Sequence, residues 1–321
     1  MTTSSRKRRT LGILSAVAAG AFTACLPNLA SAAPNGVLRF GYQKYGTVPI
    51  LKGQGALEKR LAAEGIEVKW TEFPAGPALL EGLNVGSIDF GTVGESPPVF
   101  AQAAGADLVY VGNEPSSPAS EAIIIPKNST LKSIADLKGK KIALNKGSNV
   151  HYLLVKVLEK AGIQYKDIRP VYLSPSDARA AFERGSVDAW VIWDPFLAAA
   201  EKQLGARILV DGTGLVSNYQ FFVASRSYAQ KNPKIIDIIV DELDKVDQWS
   251  SKNLKEVVAI LSAQTGLEPA VVELAAKRYS YGVTRVTPAV IAEQQKIADA
   301  FSSLRLIPKK INIKDAVLTG L

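Results

Sequence analysis

The sequence predicts an α/β protein of two similar lobes facing a shared crevice, and three observations carry that expectation. From Val37 onward, short β-branched or aromatic runs alternate with helix-length amphipathic stretches, the pattern of parallel strands joined by crossover helices. The segment Gly86-Ser87-Ile88-Asp89-Phe90-Gly91-Thr92-Val93-Gly94-Glu95 recurs in form as Gly185-Ser186-Val187-Asp188-Ala189-Trp190-Val191-Ile192-Trp193-Asp194, the mark of a duplicated unit. The chain has 321 residues, 47 % of them apolar and 21 % charged, which is long enough for two separate cores.

The elements follow in order. A basic run (Arg6, Lys7, Arg8, Arg9) precedes an uncharged, mostly apolar stretch and then Ala30-Ser31-Ala32. This is a signal peptide over residues 1–32, so the chain is exported to the periplasm. Two variants of that reading are a lipid anchor at Cys25, where Phe22 stands in the place usual for Leu, and a twin-arginine signal at Arg8-Arg9. Strands are expected at 38–42, 66–72, 88–93 and 108–112, then at 123–126, 141–145, 168–173, 187–193 and 208–210. Helices fill the gaps. Over 149–161, Leu153, Leu154, Val157, Leu158 and Ala161 share one face, and Gly162 provides the stop. In each copy of the repeat Gly-Ser closes a helix, a buried strand follows, and proline (Pro97, Pro98; Pro195) opens the next helix, where a missing N–H costs nothing. The lobes should exchange chain twice, through the Pro- and Ser-rich 113–121 and through 211–222, which makes a hinge. The expected division is 33–118 for lobe I, 119–222 for lobe II and a mainly helical return to lobe I over 223–321.

Composition narrows the chemistry. Of 38 Lys and Arg, four lie in the signal segment, leaving 34 against 30 Asp and Glu. That is a solubility-grade charge and no nucleic-acid footprint. The one Cys and the one Met (Cys25, Met1) also lie in the segment to be removed, so thiolate metal sites, disulfides and Cys nucleophiles are excluded. A single histidine, His151, cannot build a multi-histidine metal site. No nucleophile elbow, phosphate loop or dinucleotide fingerprint is present. The expectation is no enzyme, no cofactor and no metal, in a monomer.

Ligands in such folds bind beyond the carboxyl ends of the strands. Four strand-to-helix turns qualify: one around Gln43, one at Gly94-Glu95-Ser96, one at Gly147-Ser148 with His151, and one at Trp193-Asp194. Hydroxyls, amides and glycines at helix N-termini make anion sites, because unpaired N–H groups and the positive end of the helix dipole converge there. The plainer alternatives are that Ser148 or Asn149 only caps a helix, that Gln43 is satisfied by backbone, and that His151 faces solvent. Trp190 and Trp193 diverge at one strand end, so one belongs to the core and the other to a ligand wall. Glu95 and Asp194 would repel an anion, so they meet the cationic end of a zwitterion, hold a basic residue such as Arg226, or point away.

At these motifs the chain resembles the aliphatic sulfonate-binding proteins of bacterial ABC uptake systems, within the nitrate/sulfonate/taurine class of periplasmic binding proteins. The resemblance rests on Gly41-Tyr42-Gln43-Lys44, Glu72-Phe73-Pro74-Ala75-Gly76-Pro77, Leu83-Asn84-Val85-Gly86-Ser87-Ile88-Asp89, Pro97-Pro98 with residues 101–112, Asp136-Leu137-Lys138-Gly139, Asp177-Ala178-Arg179-Ala180-Ala181-Phe182, Val187-Asp188-Ala189-Trp190 and Trp193-Asp194-Pro195. It implies a two-lobed type II binding fold that captures a sulfonate in the crevice and presents it to a membrane permease for sulfur uptake. It also implies that the four turns, with Gln43, Gly94, Glu95, Ser96, Gly147, Ser148, His151, Trp193 and Asp194, hold the ligand. The chain departs from the family pattern by carrying Glu95-Ser96 where Asp and a hydrophobic residue are usual. Taurine, nitrate or another small anion is the alternative ligand. The alternative of another class is an exported enzyme on the same fold, such as a relative of thiamine-pyrimidine synthases, which would call for cysteine and metal-binding histidines.

Overall fold

The computed structural model describes residues 36–318; the expected signal peptide and Cys25 lie outside them. Two five-stranded sheets form the centre of the molecule. The first contains β1 (Gly36–Tyr42), β2 (Ile66–Glu72), β3 (Phe90–Gly94), β4 (Leu108–Asn113) and β10 (Gln220–Ser225), in the order β2-β1-β3-β10-β4. The second contains β5 (Glu121–Ile125), β6 (Lys141–Leu144), β7 (Arg169–Tyr172), β8 (Ala189–Trp193) and β9 (Arg207–Asp211), in the order β7-β6-β8-β5-β9. The two orders are equivalent strand for strand, which is the duplication read from the sequence.

The repeat explains itself in this geometry. Gly86 and Gly185 take positive φ of 73° and 68°, which a side chain would oppose. The carboxylate of Asp89 accepts the backbone N–H of Arg39 in β1 at 2.9 Å, and that of Asp188 accepts the N–H of Lys141 in β6 at 2.8 Å. Each aspartate therefore ties the start of a central strand to its parallel neighbour.

The sheets are mixed, which corrects the expectation of parallel ones. β10 runs antiparallel to both β3 and β4, and β5 runs antiparallel to β8 and β9. The second crossing also ends sooner than expected, because β10 begins at Gln220 and its Phe221, Phe222 and Val223 are fully buried strand. The two crossings are laced together: Asn218 donates to the Ser117 carbonyl and to Ser120 Oγ, both at 3.0 Å, and Ser116 Oγ donates to the Ser217 carbonyl at 2.6 Å.

Helices cover the sheets. In the first lobe α1 (Val48–Gln54), α2 (Ala56–Ala62), α3 (Gly76–Asn84) and α4 (Ser96–Ala103) are joined after β10 by α8 (Arg226–Lys231), α9 (Pro233–Ser250), α10 (Leu254–Thr265), α11 (Pro269–Ala276) and α12 (Pro288–Ser303). Ile236, Ile239, Leu243 and Val246 of α9 pack beneath Leu38, Phe40 and Phe90 of the first sheet. In the second lobe α5 (Asn149–Lys160), α6 (Pro175–Glu183) and α7 (Phe196–Leu204) cover the second sheet. α11 reaches across, with Val271 and Ala275 against Ala198 and Ala199 of α7. Among the described residues no helix is long and apolar enough to cross a membrane.

Candidate functional site

The carboxyl ends of β1, β3, β6 and β8 converge on a buried polar layer between the lobes, with the first residues of β5 and β10 among them. Gln43 donates to the Thr92 carbonyl at 3.2 Å, so a strand-end backbone group satisfies its amide. Gly94 approaches so closely that a Cβ there would lie 3.0 to 3.1 Å from Asn149 side-chain atoms. Asn149 in turn donates to Glu121 at 2.5 Å and to Asn218 Oδ1 at 3.0 Å. Glycine at 94 is thus a requirement of lobe-to-lobe approach and not of backbone angle.

Three helix N-termini open onto this layer, and they differ. Pro97 and Pro98 remove N–H donors from the first turn of α4. Asp194 caps α7, accepting the Ala198 N–H at 2.9 Å. α5 has neither feature. Its preceding residue, Ser148, makes no side-chain cap; its hydroxyl donates to the Asn145 carbonyl at 2.8 Å. The N–H groups of Asn149 and Val150 have no partner among the described residues. The α5 end therefore combines free donors, the positive dipole end and a buried hydroxyl.

The acids of the layer are held largely neutral. Glu95 accepts the Tyr219 N–H at 3.1 Å, its other oxygen is buried without a partner, and burial pushes its pKa up to about 8. Burial likewise raises Glu121, helped by the nearby Glu95, and Glu114, helped by Asp247. A protonated acid does not repel an anion, so the conflict that Glu95 posed for an anion site disappears at neutral pH. Asp194 is pushed by burial to about 6 despite the Arg278 guanidinium, so it is mostly ionised at pH 7. Ser96, fully buried, has no partner for its hydroxyl.

Two expected site residues need correction. Arg226 pairs with Asp107 at 2.6 Å and donates to the Asp315 carbonyl. It follows β10, whose antiparallel direction carries Ser225 to the level of Leu108, the amino end of β4; Arg226 therefore lies at the opposite edge of the sheet and holds neither Glu95 nor Asp194. His151 is fully buried among Phe100, Phe301, Tyr165 and Tyr172. Its Nδ1 accepts the Gly147 N–H at 3.2 Å and its Nε2 meets Tyr165 Oη at 2.9 Å, while burial lowers its pKa to about 4. Both ring nitrogens are occupied and the ring is neutral, so it braces the Gly147 turn and offers an anion nothing.

Of the two indoles, Trp190 is core, beside Phe182. Trp193 ends β8 directly opposite Glu121 in the ladder, its ring edge-on to Phe196. Sequence reasoning missed Glu114, Glu121, Asn218, Arg278 and Tyr279. The two glutamates had a signal, since they flank the Pro- and Ser-rich crossing; the others come from distant segments with none. A narrow cavity beside Asp194 and Pro195, with an empty volume of about 430 Å³ including its open mouth, is walled by Tyr45, Ile50, Val272, Ala276, Tyr279 and Tyr281.

Comparison with known proteins places this geometry. A profile described as NMT1/THI5 like matches residues 61–256. The chain is 46 % identical to an aliphatic sulfonates-binding protein of Escherichia coli K12 over 87 % of this chain and 88 % of that one. It is 35 % identical to a protein of the same name from Bacillus subtilis 168, over 87 % and 85 %. Among solved structures, the alkanesulfonate-binding protein SsuA from Xanthomonas axonopodis pv. citri bound to MOPS superposes with a TM-score of 0.83 at 44 % identity, covering 88 % of this chain and 98 % of that one.

Proposed function

This chain belongs to the NMT1/THI5-like family, and from that premise we propose that it is an exported solute-binding protein that captures an aliphatic sulfonate between its lobes and delivers it to an ABC permease in the cell envelope. The observation that carries the reading is the uncapped amino end of α5, with the free N–H groups of Asn149 and Val150 beside the Ser148 hydroxyl in a buried layer. Dipolar donors solvate a sulfonate without the cost of burying a lysine pair. Closure follows from the ligand touching both lobes, since only differential affinity for the closed state can drive it. The names of the relatives support the ligand class, and MOPS, held by one of them, is itself a substituted propanesulfonate. The reading involves no catalysis: the layer's one histidine is neutral and fully engaged.

Calorimetric titration of the mature chain, refolded to strip bound ligand, with alkanesulfonates, sulfate and nitrate tests this. Micromolar or tighter binding of an alkanesulfonate with sulfate and nitrate silent is the expected result; binding of nitrate alone would retain the fold and sink the substrate class. Replacing Ser148 by Ala should weaken sulfonate binding by roughly 1 to 3 kcal/mol, the range for a buried hydroxyl that turns from the Asn145 carbonyl to donate to a charged group. An unchanged Kd would reduce Ser148 to a brace for the Asn145 carbonyl.

A further inference from the structure

We propose that Lys44 and Lys146 are paired capture residues, one on each lip of the interlobe crevice, whose charges draw a sulfonate in from solution while the neutral donors of α5 hold it. This rests on the sulfonate reading above and deepens it.

The two lysines occupy the same place in the two lobes. β1 lies between β2 and β3 as β6 lies between β7 and β8. Each of these strands ends in a buried residue, Tyr42 or Leu144, followed by an amide, Gln43 or Asn145, and then by the lysine. Both amides are turned to backbone: Gln43 donates to the Thr92 carbonyl and Asn145 to the Leu173 carbonyl, each at 3.2 Å. Both lysines are exposed, and both stand where the lobes meet. Lys44 shares a cavity wall with Asp194 and Pro195 of the second lobe. Gly147, directly after Lys146, would set a Cβ 3.3 Å from the Phe100 ring of the first.

What lies beneath them gives the pair its use. The donors of α5 are dipolar, and the influence of a helix end is spent within about one turn. Arg278, the cation that reaches the layer, is divided between two carboxylates, Asp194 at 3.4 Å and Glu201 at 2.6 Å, so that group as a whole is negative. A site built this way holds an anion at contact and gives it no attraction from a distance. Attraction at range needs net positive charge, and only the rim supplies it. Rim charges act on association more than on dissociation.

The lips are unequal, which predicts the stronger member. Glu72 stands opposite Tyr42 in the first ladder and Tyr172 opposite Leu144 in the second. Each lysine leans on the residue at that position: Lys44 Nζ lies 3.6 Å from Glu72, and Lys146 Nζ lies 5.4 Å from the centre of the Tyr172 ring. A carboxylate cancels its lysine's charge at range, whereas a ring holds the ammonium and leaves its net charge intact. Lys146 has no acid against it in the ion pairs of the described residues. Lys146 is therefore the stronger attractor, and Glu72 is a brake on Lys44.

The test is the second-order association rate of propane-1-sulfonate, followed by stopped-flow tryptophan fluorescence, with the Kd from calorimetry. At about 0.01 M ionic strength, where charges act over about 30 Å, Lys146→Gln should slow association about fivefold and Lys44→Gln about twofold. The double variant should lose about tenfold, the lower end of the range for a charged cleft. Glu72→Gln should accelerate association about twofold. At about 1 M salt, where the reach falls to about 3 Å, all four should converge on the parent, and dissociation should match the parent throughout. Parent-like association in both lysine variants at low salt overturns the inference and leaves the sulfonate reading standing. A loss that persists at high salt, or that resides in dissociation, means direct contact with the bound anion and also overturns capture at range. A parent protein that binds no propane-1-sulfonate overturns the sulfonate reading and this inference with it.

Discussion

Glu95→Gln should stabilise the protein by about 4 kcal/mol at pH 8 and by less than about 1 kcal/mol at pH 5. The folded chain holds the Glu95 proton up to about pH 8, whereas the unfolded chain releases it near the ordinary carboxylate value of 4.5. Between those values the folded state binds more protons than the unfolded state, so the parent's stability falls as pH rises and levels off above the folded pKa. Below the unfolded value the acid is neutral in both states and contributes nothing. Glutamine mimics the protonated acid at every pH, keeps an oxygen for the Tyr219 N–H, and removes the slope. Urea unfolding of parent and variant at the two pH values is the measurement; equal differences at both would mean that Glu95 is ionised in the folded protein. Glu121 and Glu114 are shifted in the same direction, so the parent should lose stability on the alkaline side more steeply than Glu95 alone provides.

Gly94→Val should raise the Kd for an alkanesulfonate by about ten- to a hundredfold, the equivalent of the 1 to 3 kcal/mol typical of overpacking. The strand accepts valine readily, since Gly94 has no positive φ and lies at the end of β3. The clash is with Asn149 in the other lobe, and Asn149 is pinned by Glu121 and Asn218. The added volume therefore bears on lobe approach more than on either lobe's own packing. Far-ultraviolet circular dichroism should be unchanged while calorimetry shows the loss; parent-like affinity would demonstrate that Asn149 swings aside without cost.

Local signals in the chain were enough for much of this architecture. The second strand falls at 66–72 as expected, and α5 begins at Asn149, directly after a turn of Asn, Lys, Gly and Ser. The repeat located the two central strands because glycine, aspartate and a buried run recur together. β10 was not legible. Gln220–Ser225 is a short apolar run at the end of a polar crossing, and its strand character comes from partners more than a hundred residues earlier in β3 and β4. That omission also misplaced Arg226, whose position depends on the direction of β10. At the site, the donors of α5 followed from local grammar, whereas Arg278 reaches Asp194 across 84 residues of sequence and Tyr279 arrives with it. His151 misled because a histidine in a first turn looks available until the rings of Phe100 and Phe301, supplied by the other lobe, enclose it.

The antiparallel strands set an order of assembly. The second sheet draws all five of its strands from one uninterrupted stretch, Glu121 to Asp211, so it can form as soon as that stretch has emerged. The first sheet cannot. β3 and β4 are separated by a gap that only β10 fills, and until Ser225 has emerged the facing edges of both strands carry unsatisfied N–H and C=O groups. The lobe that is synthesised first is therefore the lobe completed last, and during that interval its open edges are where a chaperone or a second nascent chain would pair.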